Sequence, residues 1–276
     1  MSLSINAVSE SQLASIFQQN PHALLLTGPV GIGLASIATQ YAGSIGYQVI
    51  TVLPEKDEKI DLEKGTITVA SIRRLYDLTR TVEAKGRIII VDYAERMAPA
   101  AQNAFLKLLE EPNASTRFIL LTHQPSLLLP TITSRSQRVD IRPISRQQSE
   151  KLIDAYKVTD ATRRAQLLFI AEGLPAELVR LIEDEEYFTS RAQIVRDARE
   201  FVTGSAYARL LIAKNYKDSR PNALMLLADA AKQLKTTIAA SGDAAALRTL
   251  ARLENAHQRL TEQGNVRLQL SALVVL

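Results

Sequence analysis

The sequence predicts an α/β domain on an open parallel sheet, followed by an all-α region. Up to about residue 142, short apolar runs alternate with helix-like stretches. From Ser145 onward, Ala- and Leu-rich helical periodicity replaces almost all strand-like runs. The continuous apolar run Ile88–Val91 is typical of a strand that is buried on both faces of a parallel sheet. The chain is therefore expected to begin with crossover βα units and to end in a helical bundle.

The individual elements are predicted from the spacing of apolar residues and from the residues that break helices and strands. Strands are predicted at 23–26, 47–53, 67–69, 88–91 and 118–121, and helices at 34–42 and 99–111, the last ended by Pro112. In the helical part, Ser145 followed by Glu150 indicates a helix start. Breaks are predicted at 173–175, 183–186, 219–221 and 241–243. We therefore predict three parts, at 1–142, 143–186 and 187–276.

Composition narrows the function classes. The chain has 276 residues, of which 46% are hydrophobic and 22% charged, which fits globular domains rather than collagen, coiled coil or disorder. The absence of cysteine excludes disulfides, thiol nucleophiles and Cys-ligated zinc or iron–sulfur sites. The histidines His22, His123 and His257 are too scattered to indicate a metal site. With no signal-peptide pattern and no apolar run near the roughly 18 residues of a spanning helix, a cytoplasmic protein without a membrane partner is expected.

Charge is unevenly placed along the chain. The formal net charge is +4, but residues 1–200 sum to −1 and residues 201–276 to +5. The first Lys or Arg is Lys56. The basic C-terminal part keeps open a DNA-binding module, although its cations are spread along helices and favour assembly contacts.

The segment 28–36 has the glycine spacing of a phosphate-binding P-loop, and its first part, Gly28–Gly33, is here called the glycine loop. Its glycines are Gly28, Gly31 and Gly33. A working P-loop continues with Lys and then Ser or Thr, but Leu34 and Ala35 stand at those places. The loop therefore lacks the cation for the β- and γ-phosphates and the hydroxyl for Mg²⁺. A loop retained for its fold is the favoured interpretation, with weak nucleotide binding as the alternative.

A second segment looks like the acidic nucleotide-site motif, in which an apolar strand ends in a Mg²⁺-organising acid followed by Glu. Asp92 supplies the acid, but Tyr93 stands where the Glu would be, and a phenol is a poor base at neutral pH. Glu95 is an alternative base, although a solvated, salt-bridging Glu is the favoured interpretation. Asp92 has the alternative role of capping the following helix.

These features, in this order, together with NAFLKLLEEP at 103–112 and TSRS at 133–136, resemble the AAA+ subunits of bacterial clamp loaders. Within that family the pattern is most similar to the delta-prime subunits of DNA polymerase III. The resemblance covers residues 21–144 and extends weakly through 172–181 and 254–268. It implies an AAA+ RecA-like parallel sheet with helices on both faces, a small helical lid and a C-terminal helical collar domain.

The resemblance also implies roles for single residues. Arg135 corresponds to the arginine finger that projects into a neighbouring subunit's ATP site. The alternative is a surface arginine in a basic cluster with Arg138 and Arg142. Thr122 matches the sensor 1 position, with an ordinary strand-end residue as the alternative. Ala176 stands where the family's ATPases carry a lid arginine.

Leu34, Ala35, Tyr93 and Ala176 together depart from the ATP-hydrolysing pattern. The resemblance therefore implies a subunit without intrinsic ATPase activity and without a cofactor of its own, ATP and Mg²⁺ being bound by the neighbour. Its expected partners are gamma/tau-like ATPase and delta subunits and, through the complex, a sliding clamp and primed DNA. An atypical P-loop ATPase and a DNA-binding module remain the alternatives. The family's usual four-cysteine zinc module is replaced by the short charged stretch 54–65.

Overall fold

The chain divides into two compact units, unit 1 at residues 1–180 and unit 2 at residues 181–276. The computed structural model describes residues 4–62, 64–80, 85–111, 113–241, 244–262 and 264–274. Across those ranges, no helix is both long and apolar enough to cross a membrane.

Unit 1 is built on a parallel sheet. The strands of the chain are β1 (Ala23–Thr27), β2 (Gln48–Val52), β3 (Glu55–Lys56), β4 (Lys59–Ile60), β5 (Arg87–Val91), β6 (Thr116–Thr122) and β7 (Gln137–Asp140). Five of them form one sheet in the order β2-β5-β6-β1-β7, and every neighbouring pair is parallel. All residues of β1 and β5 are buried, as continuous apolar runs in a parallel sheet predict.

Helices cover both faces of this sheet. The helices up to residue 183 are α1 (Ala7–Gln19), α2 (Leu34–Ile45), α3 (Val69–Thr79), α4 (Pro99–Glu110), α5 (Pro130–Thr133), α6 (Arg146–Ala155), α7 (Ala161–Ala171) and α8 (Pro175–Glu183). Residues of α1 and α2 pack on one face of the sheet, and residues of α3, α4 and α5 on the other. In β5, Ile88 and Ile90 join the apolar cluster that contains α2 residues, whereas Ile89 and Val91 join the cluster that contains α3 and α4 residues. Alternate side chains thus face opposite layers, which confirms the predicted sheet with helices on both faces.

The predicted strand at 67–69 is wrong. Ile67 forms only an isolated bridge to Met97, and Val69 already begins α3. The hydroxyl of Thr68 accepts a backbone N–H from the first turn of α3 at 3.3 Å. This N-cap decides the local structure because three β-prone residues are too few to outweigh a satisfied helix start.

The segment 54–65 forms the small antiparallel hairpin β3–β4. Asp57 and Glu58 at its tip have positive φ angles of 50° and 61°, as a tight hairpin turn requires. The Arg74 guanidinium of α3 bonds the Glu55 carboxylate at 2.8 Å and ties the hairpin to the helix layer. Hydrogen bonds and an ion pair therefore hold the segment where the resemblance would place a zinc module.

Unit 2 is all-helical, as predicted. Its helices are α9 (Glu185–Thr203), α10 (Ala206–Tyr216), α11 (Arg220–Ser241), α12 (Ala244–Thr261) and α13 (Val266–Ala272). Its core combines small and branched residues, such as Ala223, Leu226, Leu227 and Ala230 of α11, which are fully buried. Small side chains allow neighbouring helices to approach closely, so the Ala-rich composition serves packing.

The helices of the second half of the chain begin and end near the predicted capping residues and breaks, but one capping interaction involves a different residue from the one expected. Ser145 caps α6, and its capping box is completed by Gln148 rather than by Glu150. The acidic run separates α8 from α9, with Asp184 as the N-cap of α9. The predicted break at 241–243 falls partly on residues 242–243, which lie outside the described residues, as does Pro112.

A largely buried ion pair joins α9 to α11. Arg191 contacts Asp229 through two bonds of 2.6 and 3.2 Å, and their side chains are only 11% and 13% exposed. Close by, the Tyr216 hydroxyl donates to Asp197 at 2.7 Å, and burial together with this carboxylate raises the pKa of Tyr216. Unit 2 thus has a polar network embedded in its apolar core.

Removing one side of this pair should be costly. We expect Asp229→Ala to lower the free energy of unfolding by about 3 kcal/mol, because it removes the carboxylate that is paired with the buried Arg191 guanidinium. Urea unfolding followed by circular dichroism measures the effect. The matched control is Asp218→Ala, since Asp218 is 86% exposed and 3.8 Å from Lys217. Equal stability of the two variants would contradict the structural weight given to the pair.

Candidate functional site

Three central strands bring the predicted nucleotide-site residues to one edge of the sheet. β1, β6 and β5 are adjacent and parallel, with Thr27 opposite Thr122 in register. Gly28 follows β1, Asp92 follows β5, and Thr122 ends β6. In open α/β sheets, ligands bind outside the carboxyl ends of the strands, so this edge is the candidate site.

The glycine loop keeps a P-loop-like backbone. Gly31 and Gly33 have φ angles of +86° and +91°, which a residue with a Cβ rarely adopts. Gly33 is also the N-cap of α2, so the helix begins directly after the loop. The predicted order of strand, tight loop and helix is confirmed, and two of the glycines adopt the left-handed geometry that favours glycine.

The two side chains directly after the loop, Leu34 and Ala35, have neither a charge nor a hydroxyl group. Leu34 is only 3% exposed and belongs to the apolar cluster that includes Ile32, with Leu174 packed against it. Ala35 is exposed and ends in a methyl group. Where a working P-loop has an ammonium group, this chain has a buried aliphatic side chain.

The first turn of α8 packs directly on the glycine loop. The Glu177 backbone N–H donates to the Gly31 carbonyl at 3.0 Å, and a Cβ on Gly31 would lie 2.9 Å from the Cβ of Glu177. A second bond, 2.8 Å long, joins the Ile144 N–H to the Gly173 carbonyl. Ala176 lies in this same first turn, so a methyl group stands at the predicted lid-arginine position.

Asp92 is fixed by its own backbone neighbour. One carboxylate oxygen accepts the Tyr93 N–H at 2.9 Å, and burial raises the pKa of Asp92 despite this bond. Tyr93 adopts a left-handed conformation, with φ of 52°. Burial and the Asp92 charge raise the pKa of Tyr93, which keeps the phenol protonated at neutral pH and so unable to accept a proton as a general base.

His123 joins the glycine loop to the Asp92 segment, a role that sequence reasoning missed. Its Nδ1 lies 2.8 Å from the Gly28 carbonyl, and since a carbonyl only accepts, Nδ1 carries the proton. Its backbone N–H donates to the Glu95 carboxylate at 3.4 Å, and its ring meets the Tyr93 ring edge-on at 5.9 Å. In the sequence, the one indication of this role was that His123 comes shortly after the apolar run predicted as a strand at 118–121.

The expectation that Glu95 is solvated and salt-bridged is wrong. Its Oε2 is buried and lacks a hydrogen-bond partner among the described residues, while Oε1 accepts from His123. The 3-10 turn at Ala94–Arg96 holds Glu95 against the sheet edge. The sequence does not predict this burial, because no apolar periodicity marks so short a turn.

Thr122 is fully buried at the end of β6. Its hydroxyl accepts the Gln124 N–H at 3.1 Å and so stabilises the turn that leaves the strand. This contact is what an ordinary strand-end residue makes. The sensor 1 role that the resemblance implies for Thr122 stays a prediction.

Arg135 contacts neither the glycine loop nor Asp92 or Thr122 in the hydrogen bonds and ion pairs of the described residues. It follows the four-residue helix α5, and its guanidinium bonds the Thr131 carbonyl at 3.2 Å and the Glu110 carboxylate at 3.0 Å. The side chain remains 38% exposed. Nearby, Arg138 is paired with Asp140 at 2.8 Å. Arg135 is therefore a surface cation with a defined anchor on α4.

Comparison with known proteins identifies the family. The model of the family described as "DNA polymerase III, delta subunit" matches residues 48–145. DNA polymerase III subunit delta' of Pseudomonas aeruginosa is 32% identical over 206 residues, which are 67% of this chain and 62% of the relative. The same subunit of Bacillus subtilis is 34% identical over 115 residues, 42% of this chain and 34% of the relative. The chain belongs to the AAA+ clamp-loader family.

A solved structure supports the clamp-loader fold. The DNA polymerase III gamma subunit-related protein of Thermotoga maritima superposes with a TM-score of 0.54 at 18% identity, covering 96% of this chain and 97% of that one. At this identity the likeness concerns the AAA+ fold alone. The two delta' matches span less than two thirds of those relatives' own lengths. The family match includes Asp92, Thr122 and Arg135 but begins after the glycine loop.

Gln102 is a second residue that sequence reasoning missed in this clamp-loader chain. It is buried in α4, and its amide nitrogen donates to the Met97 and Leu127 carbonyls at 3.2 and 3.1 Å. Its amide oxygen accepts the Leu129 N–H at 2.8 Å. Gln102 thus connects the turn after β5 with the segment that leads into α5 and Arg135. The signal was a polar residue on the apolar face of a helix.

Asp92 gives a pH-dependent test of this geometry. Because its pKa is raised in the folded protein, the ionised carboxylate costs stability above that pKa. Asp92→Asn keeps the oxygen that accepts the Tyr93 N–H. We expect it to raise the unfolding free energy at pH 7–8 by less than about 1 kcal/mol, since the group keeps partial solvent access. The gain should shrink as the pH falls toward about 4. Thermal unfolding between these pH values measures it.

Asp140→Asn is the matched control with the opposite sign. Burial alone would raise the pKa of Asp140, but hydrogen bonds from Thr27 and Arg138 lower it. Its ionised form therefore adds stability that persists at pH 4–8 and is lost only as the pH falls through the depressed pKa. If both variants change stability in the same direction at pH 7, the account of Asp92 is wrong.

Proposed function

We propose that this chain is a delta-prime-like clamp-loader subunit that does not hydrolyse ATP and lends Arg135 to the ATP site of a neighbouring subunit. Its partners would be gamma/tau-like ATPase and delta subunits, and the assembled ring would load a sliding clamp onto primed DNA. The observation that carries the proposal is a contrast between two positions. Leu34 is buried in apolar packing where an ATPase needs a cation, whereas Arg135 is retained at the surface.

The glycine loop supports the loss of hydrolysis. Phosphoryl transfer is catalysed mainly by placing positive charge and Mg²⁺ around the phosphates. Leu34 and Ala35 supply neither a cation nor a metal-binding hydroxyl, and the preceding 33 residues contain no Lys or Arg. The helix N-terminus alone leaves a weak anion site.

The lid supports the same conclusion. In this chain, a backbone bond from Glu177 to Gly31 already joins α8 to the glycine loop. The Ala176 methyl cannot contact a γ-phosphate as an arginine would. We infer that direct packing takes the place of a bound nucleotide in joining the lid to the sheet domain.

Arg135 supports a role in a neighbour's site. A guanidinium stays charged at all physiological pH values and can engage a phosphate through two parallel hydrogen bonds. Arg135 is exposed enough to reach beyond the surface, and its contacts lie on α4 and α5 rather than on the glycine loop. Action on a partner's phosphate is therefore more consistent with its placement than action on this chain's own loop.

Arg135→Ala tests the proposed finger in the assembled complex. We expect hydrolysis at the neighbouring site to fall by about 10³-fold, because the transition-state charge loses its guanidinium partner. DNA-stimulated ATP hydrolysis by the complex measures the loss. Arg138→Ala is the matched control, since Arg138 is a nearby exposed arginine already paired with Asp140. Unchanged turnover with Arg135→Ala, or an equal fall with Arg138→Ala, would overturn the finger assignment.

Calorimetry on the isolated chain tests the lack of nucleotide binding. We expect no binding of Mg²⁺–ATP at micromolar concentrations. We also expect Leu34→Lys to lower the unfolding free energy by about 3 kcal/mol or more, because it places an ammonium in an apolar cluster. Ala35→Ser, at the exposed neighbouring position, should change stability by less than about 0.5 kcal/mol. Micromolar ATP binding by the unmodified chain would favour the atypical ATPase.

A further inference from the structure

Arg135 is held by two anchors on different elements. One terminal nitrogen forms an ion pair with Glu110 Oε1 at 3.0 Å, and the other donates to the Thr131 carbonyl at 3.2 Å. Glu110 is the last residue of α4, and Thr131 lies in α5. Two contacts on a planar guanidinium restrict both its position and the tilt of its plane.

The carboxylate of Glu110 occupies an unfavourable place for helix stability. The C-terminal end of a helix carries partial negative charge, so an acidic side chain in the last turn is disfavoured. The Arg135 charge at 3.0 Å offsets this repulsion. The pairing thus gives an electrostatic reason for a carboxylate at the end of α4.

The two elements differ in how firmly they are held. α4 buries Phe105, Leu108 and Leu109 in the sheet domain, and Gln102 fastens its first half to the neighbouring loops. α5 has only four residues. A long arginine side chain that follows so short a helix retains most of its rotamer freedom unless another element restrains it. Glu110 supplies that restraint from the firmly packed helix.

We propose that Glu110 is a positioning residue, which orients Arg135 for the phosphate of the neighbouring subunit. This inference rests on the proposed function of Arg135. A guanidinium has five N–H donors. One of them bonds the Thr131 carbonyl, and the Glu110 carboxylate forms an ion pair with the other terminal nitrogen. Donors that face neither anchor are left for an incoming phosphate, so the ion pair persists when the finger is engaged.

A double-mutant cycle in the assembled complex separates this role from a general structural one. The variants are Glu110→Ala, Arg135→Ala and the double substitution, with Glu111→Ala as the control at an adjacent exposed carboxylate. The readouts are kcat and KM for ATP in DNA-stimulated hydrolysis. The quantity compared is the Arg135-dependent part of the rate, which is the rate lost on Arg135→Ala.

We expect Glu110→Ala to lower this Arg135-dependent part about three- to fivefold, the range expected for a half-exposed ion pair. KM should change by less than twofold, and Glu111→Ala should leave both constants unchanged. In the Arg135→Ala background, Glu110→Ala should have no further effect, because the positioned group is absent. Glu110→Gln, which keeps a hydrogen-bond acceptor, should recover part of the rate and guards against a folding defect in Glu110→Ala.

Each remaining outcome is decisive. If Arg135→Ala leaves turnover unchanged, the proposed function fails and this inference fails with it. If Arg135→Ala lowers turnover but Glu110→Ala matches the Glu111→Ala control, only the positioning role is overturned. A faster rate with Glu110→Ala, or an equal loss in both backgrounds, also overturns it, since the first indicates competition for Arg135 and the second a role independent of it.

Discussion

The burial of β1, β5 and β6 between two helical layers is the constraint on which the rest of unit 1 depends. Because both faces of these strands are apolar, the polar chemistry of the domain is confined to the ends of the strands. The glycine loop, Asp92 and Thr122 lie together for this reason, although 94 positions separate Gly28 from Thr122 along the chain. A scaffold of this kind keeps its edge geometry even when the residues at the edge lose their catalytic chemistry.

Apolar packing and backbone hydrogen bonds join the described elements at this edge of the sheet. Leu34 contributes to the core that supports α2, and Gly31 offers its carbonyl to α8. His123 uses Nδ1–H to hold the Gly28 carbonyl. These two hydrogen bonds join the glycine loop to α8 and to the residue after β6, and no Lys or Arg side chain takes part in them.

Much of this was predictable from the sequence, and the failures have identifiable physical causes. Continuous apolar runs predicted β1 and β5, and the spacing of Gly31 and Gly33 predicted the loop backbone, because both patterns have few structural solutions. The short segment at 67–69 was wrong because the cap at Thr68 outweighs weak β propensity. The resemblance implied that Arg135 is an arginine finger, which stays a prediction, whereas its contact with Glu110 depends on how α4 and α5 pack. The partners of His123, Glu95 and Gln102 depend in the same way on tertiary structure.

The hairpin β3–β4 has a consequence for the conditions under which this region keeps its shape. Its link to α3 is the partly exposed pair of Glu55 with Arg74, and partly exposed ion pairs weaken as ionic strength rises. A zinc-bound module in the same place would respond to chelators and to oxidation of its thiolates. Here the contact between the hairpin and α3 should weaken as the salt concentration rises, while a chain without cysteine offers no thiolate for zinc or for an oxidant to act on.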